Sequence, residues 1–287
     1  MKEKIGLVLE GGGLRGAYTA GALAWLNDNH ITFDYMNGIS SGAVALCCYA
    51  VGNKTTPYNL AVFYVNAPDV VGLKALQSEG HYVAYKKVFN EDLLKKEHLD
   101  LSGLKGKNLE VGAYVLEHGQ TEFFGPEDID PELVLLRGTC ALPVASAIVE
   151  YKGMHLLDGG ITKMIPIERA VEVGCTKFLV ITTKPADYVR KPAAPAVRAM
   201  MKVLYRKYPQ VEKDYVVRHI NYYKQISLIN ELVDEGKAVL VLPSRTIQVS
   251  RFKGTVEKSA ELYNLGYKDM ENRKEEIMAF LSKGEEE

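Results

Sequence analysis

Three short stretches of the chain carry residue types that could do covalent chemistry. Gly38-Ile39-Ser40-Ser41-Gly42 has the form G-x-S-x-G, with an apolar strand pattern before it and a helical pattern after it. A serine in that setting sits on a sharp turn. Gly38 and Gly42 remove the Cβ atoms that would crowd the turn, and the following helix aims its N-terminal dipole at the reacting group. The bland reading of the same residues is a tight turn with a serine cap.

Gly11-Gly12-Gly13-Leu14-Arg15-Gly16 again joins a strand end to a helix. Consecutive glycines let bare N–H groups converge on negative charge. Two uses compete. One is a phosphate cradle, since Gly11, Gly13 and Gly16 spell the dinucleotide fingerprint, with Asp34 about twenty residues on. That fingerprint wants its acid at the end of a strand, whereas Asp34 begins one. The other is an oxyanion hole for acyl transfer, favoured because a nucleophile candidate opens the next helix. The third stretch is Asp158-Gly159-Gly160, after Met154-His155-Leu156-Leu157. A carboxylate released from an apolar strand by two glycines can serve as a general base. Alone, Asp-Gly reads as a hairpin turn.

Elements must position these groups. Apolar runs at 5–9, 33–39, 111–115, 147–151 and 178–183 read as strands. Leu14, Ala17, Gly21, Ala22 and Trp25 recur at helical spacing, and a second helix is expected over 42–51. Pro166 suits a first helical turn, with Gly174 as the stop. Strands alternating with helices predict a mainly parallel α/β sheet. Pro185, Pro192 and Pro195 mark a composition break. The expected organisation is a catalytic domain over 1–184, a proline-rich linker over 185–196 and a mainly helical extension over 197–287. The extension reads as a strand at 239–242, helices at 255–265 and 268–281, and a solvated Glu285-Glu286-Glu287 tail.

Composition narrows the classes. The 287 residues carry 35 Lys plus Arg against 36 Asp plus Glu, a net charge of −1 that argues against a nucleic-acid partner. With 47% hydrophobic and 25% charged residues the chain is globular rather than disordered or fibrous. Its apolar stretches at 43–51 and 141–149 are about half of the ~20 residues a spanning helix needs. Residues 1–9 read as charge followed by a first strand, not as a signal peptide. Cys47, Cys48, Cys140 and Cys175 have no metal-like spacing, so a reducing, cytoplasmic compartment is expected, with no metal and no cofactor. Between 197 and 224 there are seven basic residues against two acids, interleaved with Met200, Met201, Leu204 and Tyr205. Such a helix either packs its apolar stripe on the catalytic domain or makes peripheral contact with an anionic membrane surface.

Taken in this order, G-G-G-x-R-G over Gly11 to Gly16, G-x-S-x-G over Gly38 to Gly42 and D-G-G over Asp158 to Gly160, the motifs resemble those of the patatin-like phospholipases. The resemblance covers residues 7 to about 173. It implies a three-layer α/β/α fold and hydrolysis of lipid acyl esters, phospholipid or neutral, by a Ser-Asp dyad without histidine. Carried over residue by residue, Ser40 is the nucleophile, Asp158 the base, and Gly11, Gly12 and Gly13 the oxyanion donors. Arg15 fills the family's arginine position, in a structural ion pair or against substrate. The region after 197 resembles the C-terminal extension of a bacterial subgroup. Two alternatives stand beside this reading. One is a catalytically weak lipid- or acyl-chain-binding protein of the same fold. The other is an α/β-hydrolase-type Ser-Asp-His triad using His219. Against the triad, Ser40 follows only the second strand, and His219 lies among Arg218, Tyr222, Tyr223 and Lys224, a solvated or partner-facing pattern. His155 alternates within an apolar strand and reads as packing. No residue pattern specifies an oligomeric state.

Overall fold

The computed structural model describes residues 3–282, so the Glu285–Glu287 tail lies outside the described residues. In chain order the strands are β1 (Ile5–Leu9), β2 (Tyr35–Ile39), β3 (Leu109–Val115), β4 (Gln120–Phe124), β5 (Val149–Tyr151), β6 (Met154–Asp158), β7 (Lys177–Ile181) and β8 (Ala238–Val241). The α-helices are α1 (Gly16–Asp28), α2 (Ser41–Ala50), α3 (Thr55–Val62), α4 (Leu73–Glu79), α5 (Val134–Thr139), α6 (Ile167–Glu172), α7 (Pro195–Leu204), α8 (Gln210–Asp234), α9 (Val256–Asn272) and α10 (Lys274–Leu281).

The strands form one mixed, mostly parallel sheet. Its centre, β3-β2-β1-β7-β8, runs parallel, while β4, β5 and β6 pair antiparallel at one side. Successive side chains of a strand face opposite ways, and both faces here are apolar. Leu7, Leu9, Leu179, Ile181, Val239 and Val241 enter one core, with residues of α1, α2 and α9. Val8, Phe178, Val180 and Ala238 enter a second core, with Ile167 and Ala170 of α6 and Tyr222 and Ile229 of α8. Two helical layers over one sheet make the three-layer α/β/α fold expected from the sequence. The residues after the prolines contribute to all of it. β8 continues the parallel sheet beyond β7, and α9 packs against α1.

Some elements differ from expectation. The run at 147–151 holds only the short β5, which turns into β6. β4 was not expected because its Gln, Thr and Glu face partly outward from a hairpin. Residues 52–108, where no element was expected, hold α3, α4 and a wide π-type helix at Lys87–Lys96. The helices expected at 255–265 and 268–281 break instead at Arg273, because α9 runs straight through Gly266. Gly266 is a contact rather than a stop: a Cβ there would lie 2.1 Å from the Tyr18 carbonyl oxygen, and one on Gly21 1.9 Å from that of Tyr263. Glycine thus lets two backbones touch where α1 crosses α9. Gly266→Ala is expected to cost about 3 kcal/mol, read as a lower denaturation midpoint. An unchanged midpoint would mean that the helices separate without penalty.

Candidate active site

Pairing along β3 brings the distant motifs together. β4 pairs with β3 throughout Val111–Val115, so β2 and β6 must share the other edge, end to end. Ile39 pairs with Gly112, and Asp158 with the next residue, Ala113. The residue after Ile39 is Ser40. Residues 139–141 fasten the junction: Ser40 N–H donates to Thr139 Oγ1 at 3.0 Å, Thr139 Oγ1 donates to the Gly112 carbonyl, and Asp158 N–H donates to Ala141 O at 2.8 Å.

Ser40 has φ 55° and ψ −129°, in the left-handed half of backbone space that side chains rarely adopt. The surroundings enforce this strained turn between β2 and α2. Gly38 and Gly42 stand at its two sides, and a Cβ on Gly42 would lie 2.7 Å from the Glu10 carbonyl oxygen. Ser40 and Asp158, 5% and 3% exposed, line one cleft with Gly11, Gly12, Gly13 and Gly160. Asp158 Oδ1 accepts the Gly160 N–H at 2.7 Å, while Gly159 passes beside Gly112. Among the described residues no hydrogen bond joins Ser40 Oγ to Asp158, and Ser40 offsets part of the rise that burial gives the Cys140 thiol pKa.

The glycine-rich loop is fixed from several directions. Gly11 N–H donates to Met164 O at 3.1 Å and Gly12 N–H to Ser41 Oγ at 3.0 Å, while Gly16 opens α1. Gly13, at φ +59°, has no such acceptor among the described residues. Beneath the loop, Glu10 accepts from Thr183 N–H, Thr183 Oγ1 and the Lys184 ammonium, and both charged groups are buried. Burial alone would raise the Glu10 pKa. The Lys184 charge and the Thr183 donors outweigh it and hold the carboxyl below its ordinary value.

The cleft is strongly cationic. Arg15, Lys184, Arg190, Arg218 and Arg251 line it. Arg15 makes no ion pair among the described residues and lies over the Tyr188 ring, 5.7 Å from its centroid. Sequence reasoning missed Glu10, Lys184, Arg190 and Arg251, and assigned Arg218 to a solvated or partner-facing helix. Tyr222 is in fact buried and Arg218 reaches the Gly160 carbonyl. Ser40 also lines an apolar pocket with Val44, Leu60, Val70, Val83 and Phe89.

The histidines stand elsewhere. His219 does not line the cleft of Ser40 and Asp158, and its Nδ1 lies 3.0 Å from Val216 O on its own helix. His155, expected to pack, is half-exposed and paired through Nδ1 with Glu117 Oε1 at 2.5 Å. The four cysteines are free thiols, all buried. No helix among the described residues is long and apolar enough to cross a membrane.

Comparison with known proteins gives two family matches. Residues 7–171 match the profile of the family described as Patatin-like phospholipase, and residues 208–282 match a Domain of unknown function (DUF6363). The chain is 26% identical over 222 residues to "Uncharacterized protein YjjU" of Escherichia coli K12, covering 66% of this chain and 54% of that protein. It is 25% identical over 188 residues to "Probable lipid hydrolase 463L" of Invertebrate iridescent virus 6, covering 58% of this chain and 63% of that one. The chain therefore spans between half and two thirds of these curated relatives. Among solved structures, VipD from Legionella pneumophila aligns over 97% of this chain and 67% of its own, with a TM-score of 0.45 and 13% identity.

Proposed function

The chain belongs to the patatin-like phospholipase family, and from that premise we propose that it is a serine hydrolase of lipid acyl esters working through Ser40 and Asp158. The observation that carries the reading is the position of Ser40. It stands on a strained turn and lines both an apolar pocket and a cationic cleft, surfaces that suit the apolar and polar parts of one lipid.

In this reading Ser40 Oγ attacks the ester carbonyl while Asp158 takes its proton. The leaving alcohol departs with that proton, and water then cleaves the acyl-enzyme with Asp158 again as base. The oxyanion meets the glycine loop. The Gly13 amide is the readiest donor, joined by Gly12 once the Ser41 hydroxyl turns away. A Cβ on Gly13 would lie 2.9 Å from the Arg251 carbonyl oxygen, in a backbone conformation that already disfavours side chains. Gly13→Ala is therefore expected to lower kcat by about 10²- to 10³-fold with little change in KM. Equal rates for variant and wild type would remove Gly13 from the hole.

The test of the function is a panel of p-nitrophenyl esters and phospholipids, with fluorophosphonate labelling of the serine. Labelling and turnover support the hydrolase. Acyl-chain binding with neither would support the weak binder of the same fold.

A cytoplasmic site of action and peripheral membrane contact belong to the same proposal. α7 presents exposed Met200, Val203 and Leu204 beside Arg198 and Lys202. Co-sedimentation with anionic vesicles is expected, with release by salt. Failure to bind such vesicles at low ionic strength would discard the contact.

A further inference from the structure

Beside Ser40 three arginines converge on a cleft in which Asp158 is the carboxylate among the described lining residues. Arg190, Arg218 and Arg251 line its cleft and continue together into an adjoining cavity of about 210 Å³. That is well above the ~10–15 Å³ of such volume that one water molecule needs. Among the described residues none of the three forms an ion pair. Two carboxylates stand near: Glu10 holds Lys184 and Thr183, and Asp158, which accepts from Gly160, attracts Arg218 without pairing with it, so three guanidinium groups face a single lining carboxylate.

Each guanidinium is held by its plane while donor edges stay free. Arg190 is 8% exposed, lies over Tyr222 at 4.6 Å and Tyr188 at 5.6 Å, and its Nε has no partner. Arg218 lies over Tyr215 at 5.5 Å and uses Nε on the Gly160 carbonyl, and among the described residues its terminal nitrogens make no hydrogen bond to a carboxylate. Arg251 lies over Phe252 at 5.9 Å, and its side chain makes no hydrogen bond among the described residues. Burial first, then the nearby Arg251 and Arg190, pull the Arg218 pKa down, against smaller opposing pulls from Tyr215 and Asp158. Three like charges against one carboxylate in a partly dry cleft are costly unless a further anion joins them. Three planar forks offer more donors than one carboxylate can accept, and they match the several oxygens of a phosphoryl group.

We propose that Arg190, Arg218 and Arg251 form a phosphoryl-binding subsite that sets a preference for phosphate-bearing acyl esters over neutral ones. All three follow the residues matched to the patatin-like family, and Arg218 and Arg251 lie in the second matched region. The C-terminal part thus supplies specificity to a catalytic centre built by the N-terminal part. The preference rests on the reading of Ser40 as nucleophile; anion binding does not.

Two measurements separate those parts. The first is the ratio of kcat/KM for dihexanoyl phospholipid to that for p-nitrophenyl hexanoate, in wild type and Arg251→Gln. The ratio is expected to fall about tenfold or more, as for a lost charge-assisted hydrogen bond. The second is thermal melting of Ser40→Ala with inorganic phosphate against chloride at equal ionic strength. Phosphate is expected to raise the midpoint, and adding Arg251→Gln is expected to remove the rise. Arg218→Lys, which keeps charge but loses the fork, serves if Arg251→Gln melts abnormally without phosphate. A phosphate response with an unmoved ratio would assign the subsite to a free phosphate or soluble phosphate ester and overturn the lipid preference. Absence of both effects would overturn the subsite. Turnover surviving in Ser40→Ala would overturn the nucleophile instead, with the melting result still deciding on the anion.

Discussion

Ser40→Ala and Asp158→Asn are each expected to lower kcat for acyl esters by at least about 10⁴-fold, the scale on which serine hydrolases lose rate when one member of the catalytic unit goes. Both variants should keep the wild-type fold. Alanine removes only the hydroxyl, and the strain at Ser40 is set by Thr139, Gly38 and Gly42 rather than by that hydroxyl. Asparagine retains an oxygen to accept the Gly160 N–H now bound by Asp158. Without an imidazole in the cleft, proton transfer falls to the carboxylate itself, so an amide there cannot substitute. Fluorophosphonate labelling should vanish in Ser40→Ala and slow sharply in Asp158→Asn. A wild-type rate in either variant, with matched circular dichroism, would dismantle the pair.

Much of this centre was legible before any coordinates, for a physical reason. The glycines and the serine of a strained strand-to-helix turn must be contiguous, so their pattern survives in one dimension. β1, β7 and β8 were legible too, because strands buried on both faces read as nearly unbroken apolar runs. The polar lining of the cleft was not. Arg190, Arg218 and Arg251 come from a loop, a long helix and another loop, and only the docking of α8 and the 250–253 turn onto the glycine loop makes them neighbours. Arg218 in particular lies in a stretch whose composition resembles any solvated helix. The break expected between residues 265 and 268 does not occur, since Gly266 serves the crossing of α1 and α9 rather than a helix end. One missed feature did leave a signal. Glu10 and Lys184 each close an apolar strand, and parallel pairing of Leu9 with Ile181 sets those strand ends side by side.

That pair supports the second large expectation, which concerns stability. Glu10→Gln or Lys184→Met alone leaves a buried group without its counter-charge and is expected to cost about 3–5 kcal/mol. The double variant should recover part of this, with a coupling of about 2 kcal/mol or more, because neither charge is then stranded. The consequence reaches the chemistry, since Glu10 precedes Gly11 and holds Thr183, whose Cγ2 lies 2.8 Å from the place a Cβ on Gly12 would occupy. A loosened Glu10 therefore loosens the oxyanion loop, and turnover per folded molecule should fall in both single variants. Acid adds an independent reading. The folded-state pKa of Glu10 lies below its ordinary 4.5, so the stability it contributes is complete above that value and is lost as pH falls through the folded pKa. The wild type should accordingly lose stability more steeply than Glu10→Gln on acidification below pH 4.5. Additive single costs, together with parallel acid limbs, would show that the two charges are buried side by side without stabilising each other or the loop above them.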